Sequence, residues 1–262
     1  LCISNILSDI SQVSEQLVRE AGRRGLLGSI IRPGYILGDA ASGVCVHDDF
    51  LIRMLKGCIQ LSSRPHIVNT VNAVPVGHVS TVVVAASLNP IPAKTTSSPS
   101  SNSDIGVHVI HVTAHPRLRM NEYLSILSYY GYDVPEVDYD YWKAQLSTFV
   151  SAGPIQKDEE QSALMPLFHM ATNDLPSTTR APELDDRNAV AVLKADADRW
   201  TGIDESAGEG ISRETVGRFL RFLAETNFLP RPTGRGRELP AIEASVIEAQ
   251  AKWGIGGRGA GV

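Results

Sequence analysis

Leu26-Leu27-Gly28-Ser29-Ile30-Ile31-Arg32-Pro33-Gly34-Tyr35-Ile36-Leu37-Gly38 is the stretch on which the fold turns: a short apolar run followed at once by an Arg-Pro-Gly turn. Leu26, Leu27, Ile30 and Ile31 make a run of strand length with Gly and Pro punctuation, as expected of a parallel strand covered on both faces. Pro33 fixes φ and predicts the end of the ladder, while Gly34 lets the backbone come close to whatever lies beyond the strand's carboxyl end. Open α/β sheets bind ligands there. Upstream, Val13, Leu17, Val18 and Ala21 recur on one face and Glu15 and Arg19 pair four apart on another, the pattern of an amphipathic helix that stops at Gly22 and Gly25. Helix, buried strand and Arg-Pro-Gly turn in that order predict the late half of a parallel α/β domain, with the early half expected to lie outside these residues. As bare geometry, the same turn also serves simply to end a strand.

Composition bounds the remainder. With 262 residues, 43% hydrophobic and 20% charged, the chain can bury a sizeable core as one large domain or two small ones. A net charge of −5 provides no broad basic field and argues against nucleic acid or an anionic membrane as the main partner. Cys2, Cys45 and Cys58 are odd in number and lack metal or redox spacing, so reduced thiols are expected. No apolar stretch approaches the roughly 20 residues that span a bilayer, and the first residues lack a signal pattern. The chain therefore reads as cytoplasmic.

Asp48 and Asp49 open a second helix, carried by Phe50, Leu51, Met54, Leu55, Cys58 and Ile59. Carboxylates in a first turn suit the helix dipole, so capping competes with substrate contact as the role of this pair. Residues 68–76 read as a short strand leading through Pro75 into a helix over 78–88, and residues 89–106, broken by Pro and a Ser/Thr run, as a variable surface loop. Residues 107–112 read as another buried strand. Helical patterns follow over 118–130, 141–150, 159–172, 184–197 and 211–223. The expected architecture is α/β: the distal half of a Rossmann-like parallel sheet of three or four strands, plus a mostly helical carboxy-terminal subdomain stacked where a lid would sit.

Several long segments agree in order and spacing with a known family: "VSEQLVREAGRRGLLGSIIRPGYILGD", "DDFLIRMLKGCIQLSSRP", "NTVNAVPVGHV", "HVTAHPRLRMNEYLSILSYYGYDVPEVDY" and "LPSTTRAPELDDRNAVAVLKAD". Together they resemble the carboxy-terminal reductase domain of the fungal L-2-aminoadipate reductases of lysine biosynthesis. The wider family is the extended short-chain dehydrogenase/reductases, including the thioester reductase domains that terminate non-ribosomal peptide synthetases. The resemblance implies NADPH-dependent hydride delivery to an acyl thioester on the phosphopantetheine arm of a carrier domain, releasing an aldehyde. It implies a domain plan of cofactor-binding residues 1–115, substrate-binding residues 116–230 and a tail over 231–262.

Site residues follow from the same resemblance. Arg32, Pro33, Gly34, Tyr35 and Ile36 match the turn that packs beside the nicotinamide in relatives, and Asp48 and Asp49 match the segment leading into the substrate subdomain. Such enzymes use a Tyr and a Lys one helical turn apart: the ammonium lowers the phenol's pKa, and the phenol protonates the carbonyl oxygen as hydride arrives. Ungapped register places that pair at Leu7 and Ser11, neither of which can do the work, so no catalytic residue is expected in this chain. The family's Gly-rich phosphate loop would lie further upstream. Residues 1–12 read as unlike the family, as a truncated product or mis-spliced exon would. Gly77 stands where the family usually has Asp, which predicts a cap weakened by about 1 kcal/mol on the helix near His78.

Two patterns are decoys. Tyr139 and Lys143 have the Tyr-x-x-x-Lys spacing but lie far beyond the Arg-Pro-Gly strand, where packing is the expected role. Gly254-Ile255-Gly256-Gly257-Arg258-Gly259 spells GxGxxG without a preceding strand or a following helix and reads as a tail. The seven His show no ligand spacing, and His78 and His115 read as helix-start or loop residues, so no metal is expected. Two functions remain: the distal part of a carrier-dependent reductase, inactive without its other half, or a non-catalytic fragment. A non-ribosomal-peptide-synthetase-like carboxylic acid reductase is the other enzymatic reading.

Overall fold

The computed structural model describes residues 3–91, 106–151, 163–165, 168, 171–172 and 183–253. Along the chain run α1 (Ile3–Arg23), β1 (Gly28–Pro33), β2 (Tyr35–Leu37), α2 (Phe50–Gln60), β3 (Arg64–Pro65), β4 (Thr70–Val71), β5 (Ala73–Pro75), α3 (Val76–Leu88) and β6 (Val107–Val112). There follow β7 (Leu118–Arg119), α4 (Met120–Tyr129), β8 (Glu136–Val137), α5 (Tyr139–Ser151), α6 (Arg187–Asp196) with a π-helical turn over Ala197–Thr201, α7 (Arg213–Glu225) and α8 (Ala244–Trp253). These form an α/β fold of two compact units that interleave along the sequence: Leu1–Gly34, His78–His115 and Glu183–Glu209 in the first, Tyr35–Gly77, Pro116–Pro182 and Gly210–Val262 in the second. Chain order and spatial grouping thus differ from a single division near residue 115.

The first unit is built on one parallel pair. β1 runs alongside β6 from Gly28 opposite Val107 to Pro33 opposite Val112. Pro33 does not end the ladder, because Gly34 N–H still donates to Val112 O at 3.0 Å. In a parallel strand the groups that face one neighbour come from alternate residues. Gly28, whose N–H donates to Gly106 O at 2.9 Å, and Gly34 lie on the side of β6, so the donor missing at Pro33 faces the other edge. α1 closes on β6 at Gly22, where a Cβ would come within 2.5 Å of Val107 Cγ2. Asn188 of α6 reaches the strand as well, donating from Nδ2 to Val109 O at 2.7 Å.

The predicted coverage of β1 on both faces is not found. The strand starts at Gly28, leaving Leu26 and Leu27 exposed before it, and none of its residues is fully buried. β6, by contrast, buries Val107, Ile110 and Val112. Among the described residues β1 has a partner on one edge only. Val13 and Leu17, on the apolar face of α1, are likewise exposed.

The second unit holds three short pairs: β2 with β5 and β3 with β8, both parallel, and β4 with β7, antiparallel. The expected sheet of three or four strands is therefore replaced by two-stranded pairs among the described residues. The core of this unit gathers Leu51, Ile52, Met54 and Leu55 of α2, Tyr123, Leu124 and Leu127 of α4, Trp142 of α5, and Phe219, Leu220, Phe222 and Leu223 of α7. These recur at helical spacing, which is why each helix buries one stripe. Ser212 caps α7 by accepting from Thr215 N–H at 3.0 Å, satisfying an amide that the first turn leaves over. The helix expected over 118–130 starts at Met120, because Leu118 and Arg119 first pair with β4. Residues 231–253 are more than a tail, with Leu239 buried and α8 following. Most of the helix predicted over 159–172, most of the loop 89–106, and the 254–259 glycine pattern lie outside the described residues.

Candidate functional site

The Arg-Pro-Gly turn stands at the carboxyl end of β1, as the sequence reading places it. Arg32, Pro33 and Gly34 belong to the first unit and Tyr35 and Ile36 to the second, so the turn is where the chain passes from one to the other. Arg32 is not a free cation. Its Nε donates to Glu15 Oε2 at 3.0 Å and its Nη2 to Glu15 Oε1 at 2.5 Å, a two-pronged pair with the carboxylate of α1. Arg19 donates to the same carboxylate from Nε at 3.0 Å and Nη2 at 2.9 Å. The bonds from Arg32 first, and then those from Arg19, hold Glu15 below the usual carboxylate range against the opposing effect of burial. These side chains, with Gln12, Val13 and Gln16, line a cleft of about 410 Å³. Gly34 does not take a left-handed backbone.

In the second unit, β2 presents Tyr35 and Ile36 with about half of each residue exposed, 49% and 45%. Register pairs them with Ala73 and Val74 of β5, and the Tyr35 ring tilts against Phe50 at 6.3 Å. Burial, then the nearby Asp49 charge, pushes the Tyr35 phenol above its usual pKa, the opposite of what a proton donor tuned to neutral pH requires.

Asp49 accepts from Leu51 N–H at 2.8 Å and from Ile52 N–H at 3.3 Å as the N-cap of α2. Burial nevertheless raises its pKa, outweighing those two bonds. Asp48 is exposed and pairs with Arg53. Arg53 in turn donates to Ala163 O at 3.0 Å. Capping is thus what Asp49 does locally, and Asp48 is the carboxylate of the two that stands at the surface.

Leu7 and Ser11 fall one turn apart within α1. Tyr139 and Lys143 begin α5, where Tyr139 OH donates to Ala171 O at 2.9 Å and its ring stacks near the buried Trp142. Gly77 lies inside the first turn of α3, which begins at Val76 instead of at a cap before His78, and a Cβ at Gly77 would meet nothing within 4 Å. Cys45 and Cys58 are free and buried; burial pushes the Cys58 thiol up to about 12 and the Cys45 thiol higher still, so both are poor nucleophiles. Among the described residues no three His, Cys, Asp or Glu side chains are placed to hold a metal ion.

One constellation carried no signal in the sequence. Just beyond the carboxyl end of β6, Thr113 Oγ1 donates to Asp186 Oδ2 at 2.8 Å, and His115 Nε2 lies 2.5 Å from the same oxygen. Burial raises the pKa of Asp186, but the bonds from His115 and Thr113 outweigh it and hold the carboxylate below its usual range. His78 is buried nearby; desolvation lowers its pKa, Glu205 opposes that shift and His115 adds to it. A chain separation of 71 residues between His115 and Asp186 leaves no spacing to read.

The NAD-binding family described as "Male sterility protein" matches residues 12–83, which include the second half of α1, β1 and the Arg-Pro-Gly turn. The L-2-aminoadipate reductase large subunit of Penicillium chrysogenum is 52% identical over 246 residues, covering 94% of this chain and 16% of that protein. The chain thus spans a small part of the length of that relative. Among solved structures, the terminal R domain of the myxalamid biosynthetic pathway superposes with a TM-score of 0.61 at 26% identity, covering 84% of this chain and 49% of that one. The thiolation-reductase di-domain of an archaeal non-ribosomal peptide synthetase superposes with a TM-score of 0.57 at 15% identity, a likeness of fold.

Proposed function

We propose, because the chain belongs to the NAD-binding, extended short-chain dehydrogenase/reductase family that includes the fungal L-2-aminoadipate reductases, that it forms the distal part of an NADPH-dependent reductase domain acting on a carrier-bound L-2-aminoadipyl thioester. The family is one of oxidoreductases that use a nicotinamide cofactor. When bound, that cofactor supplies the hydride that turns the thioester carbonyl into an aldehyde, with the thiol of the phosphopantetheine arm as the leaving group.

The residues of the turn suit one end of that cofactor. In the second unit, Tyr35 and Ile36 offer exposed aromatic and aliphatic surface to a nicotinamide ring. They do not suit the other end. Arg32 is already paired, and among the described residues no Gly-rich loop leads from a strand into a helix to hold a pyrophosphate. Asp48 is exposed but already paired with Arg53, so an ammonium-bearing substrate would have to share or displace that guanidinium. The domain plan by role, with cofactor residues in 1–115 and substrate residues in 116–230, rests on the family pattern.

The single observation that carries the reading is 52% identity sustained over 94% of the chain, with the Arg-Pro-Gly turn intact. The test is a chimera in which the preceding part of the Penicillium relative's reductase domain is joined ahead of residue 12. It is assayed with NADPH and a carrier-tethered aminoadipyl thioester, beside the 262-residue chain alone. NADPH oxidation by the chimera and none by the chain alone is the expected result. A folded but inactive chimera sinks the reductase reading, and steady turnover by the chain alone sinks its dependence on a further half.

A further inference from the structure

In the second unit, the segment Arg231-Pro232-Thr233-Gly234-Arg235-Gly236-Arg237 is fixed against the end of α4 through its backbone. Gly234 N–H donates to Gly131 O and Arg237 N–H to Tyr129 O, each at 2.9 Å. A Cβ on Gly236 would come within 2.2 Å of Gly131 N, and one on Gly234 within 2.7 Å of Gly131 O. Glycine at both positions is what allows two backbones to touch. The result is a rigid seat for Arg237 beside Tyr129 and Tyr130.

Arg213, the first residue of α7, lies over the Tyr129 ring at 4.5 Å from its centroid, and Tyr130 OH donates to Arg213 O at 3.3 Å. Burial, then Tyr129 and Glu214, raise the Tyr130 pKa, while Arg237 and Arg213 act to lower it. Between them opens a cleft of about 680 Å³ whose wall also includes Arg221 and the carboxylates Glu214 and Glu238. Two carboxylates at or near the cleft are engaged with other guanidiniums. Glu214 binds Arg218 at 2.5 Å, and Glu225 binds Arg221 at 2.9 Å and Arg231 at 2.8 Å. Arg213 and Arg237 have no carboxylate partner among the described residues, and the three guanidiniums of the wall, Arg213, Arg221 and Arg237, outnumber its two carboxylates, Glu214 and Glu238.

We propose that this cleft is a binding site for a soluble phosphate monoester, held between Arg213 and Arg237 with Tyr129 as a platform for its organic part. A guanidinium presents parallel N–H donors that match two phosphate oxygens, and a dianion can satisfy two such forks at once where a carboxylate satisfies one. The site stands apart from the reductase reading, since it uses none of the turn's residues.

The test uses the 262-residue chain, titrated at constant ionic strength with inorganic phosphate, glycerol phosphate, sodium chloride, and phosphatidylcholine vesicles with and without phosphatidic acid. The Nε–H resonances of Arg213 and Arg237 report binding. Saturable shifts with both phosphates are expected, weakened about tenfold by Arg213→Gln or Arg237→Gln. Arg237→Lys, which keeps the charge and loses the fork, should fall between, and Arg187→Gln in the first unit should bind like the parent chain. Shifts that chloride reproduces, unchanged affinity in both Gln variants, or binding confined to phosphatidic acid vesicles would each overturn the proposal. Because Arg213 and Arg237 are exposed, folding of the variants is checked simply by their melting curves.

Discussion

At the scale of single residues, Gly34 and Tyr139 separate a turn that touches ligand from a decoy. In the active chimera, Gly34→Val should raise the KM for NADPH by about tenfold or more, because a β-branched side chain intrudes where the backbone is meant to approach closely. Tyr139→Phe should leave kcat within twofold and lower stability by about 1 kcal/mol, since its hydroxyl donates to Ala171 O. Steady-state kinetics and melting curves on both variants check this, and equal losses of activity would give Tyr139 a part in the reaction. Gly77 offers a gain. An aspartate in the first turn of α3 has open space around it and a favourable dipole, so Gly77→Asp should stabilise the chain by about 0.5 to 1 kcal/mol, seen as a higher Tm.

At the scale of elements, the tie between β6 and α6 is polar. Asp186, just ahead of α6, accepts from Thr113 and pairs with His115 beyond the strand. Its folded pKa is depressed, so its contribution is present above the unfolded value near 3.8 and lost as pH falls through the folded value. Asp186→Ala should therefore cost about 1 kcal/mol near neutrality and flatten the acid side of the stability curve, measured as Tm against pH. An unchanged acid limb would show that the carboxylate is as well solvated unfolded as folded. The strand β6 was legible in residues 107–112, where Val107, Val109, Ile110 and Val112 are bounded by a Gly and a Thr, whereas β1 was misjudged by two residues and by its cover. A run of apolar residues reports that a strand can be buried, and says nothing about whether a neighbour is there to bury it.

At the scale of the whole molecule, the first unit exposes more apolar surface than its composition suggests. Val13, Leu17, Leu26, Leu27, Val83, Val84, Leu88, Trp200 and Ile203 are all 43% or more exposed. Exposed apolar patches beside a parallel strand with one free edge favour self-association. The purified chain should show concentration-dependent aggregation in light scattering, reduced by the double replacement Leu17→Glu and Leu27→Lys. A monodisperse parent chain at high concentration would contradict this. No helix among the described residues is long and apolar enough to cross a membrane, so lipid does not account for that surface by a helical span.

What the sequence alone determined is local: the helices α2 to α7 to within a few residues, the second half of α1, the strand β6 and the Arg-Pro-Gly turn, with capping one of two roles open to Asp49. Each follows from periodicity or punctuation within about a dozen neighbours, where backbone sterics and hydrogen bonding act over short chain distances. Only the tertiary structure decided that Arg32 is bound to Glu15, that His115 meets Asp186, that Arg237 is seated beside Tyr129, and that residues 183–209 return to the first unit. Those arrangements join groups 17 to more than 100 residues apart. Charge and hydrogen-bond partners at such separations are selected by how the elements pack, and no spacing in the chain records that choice.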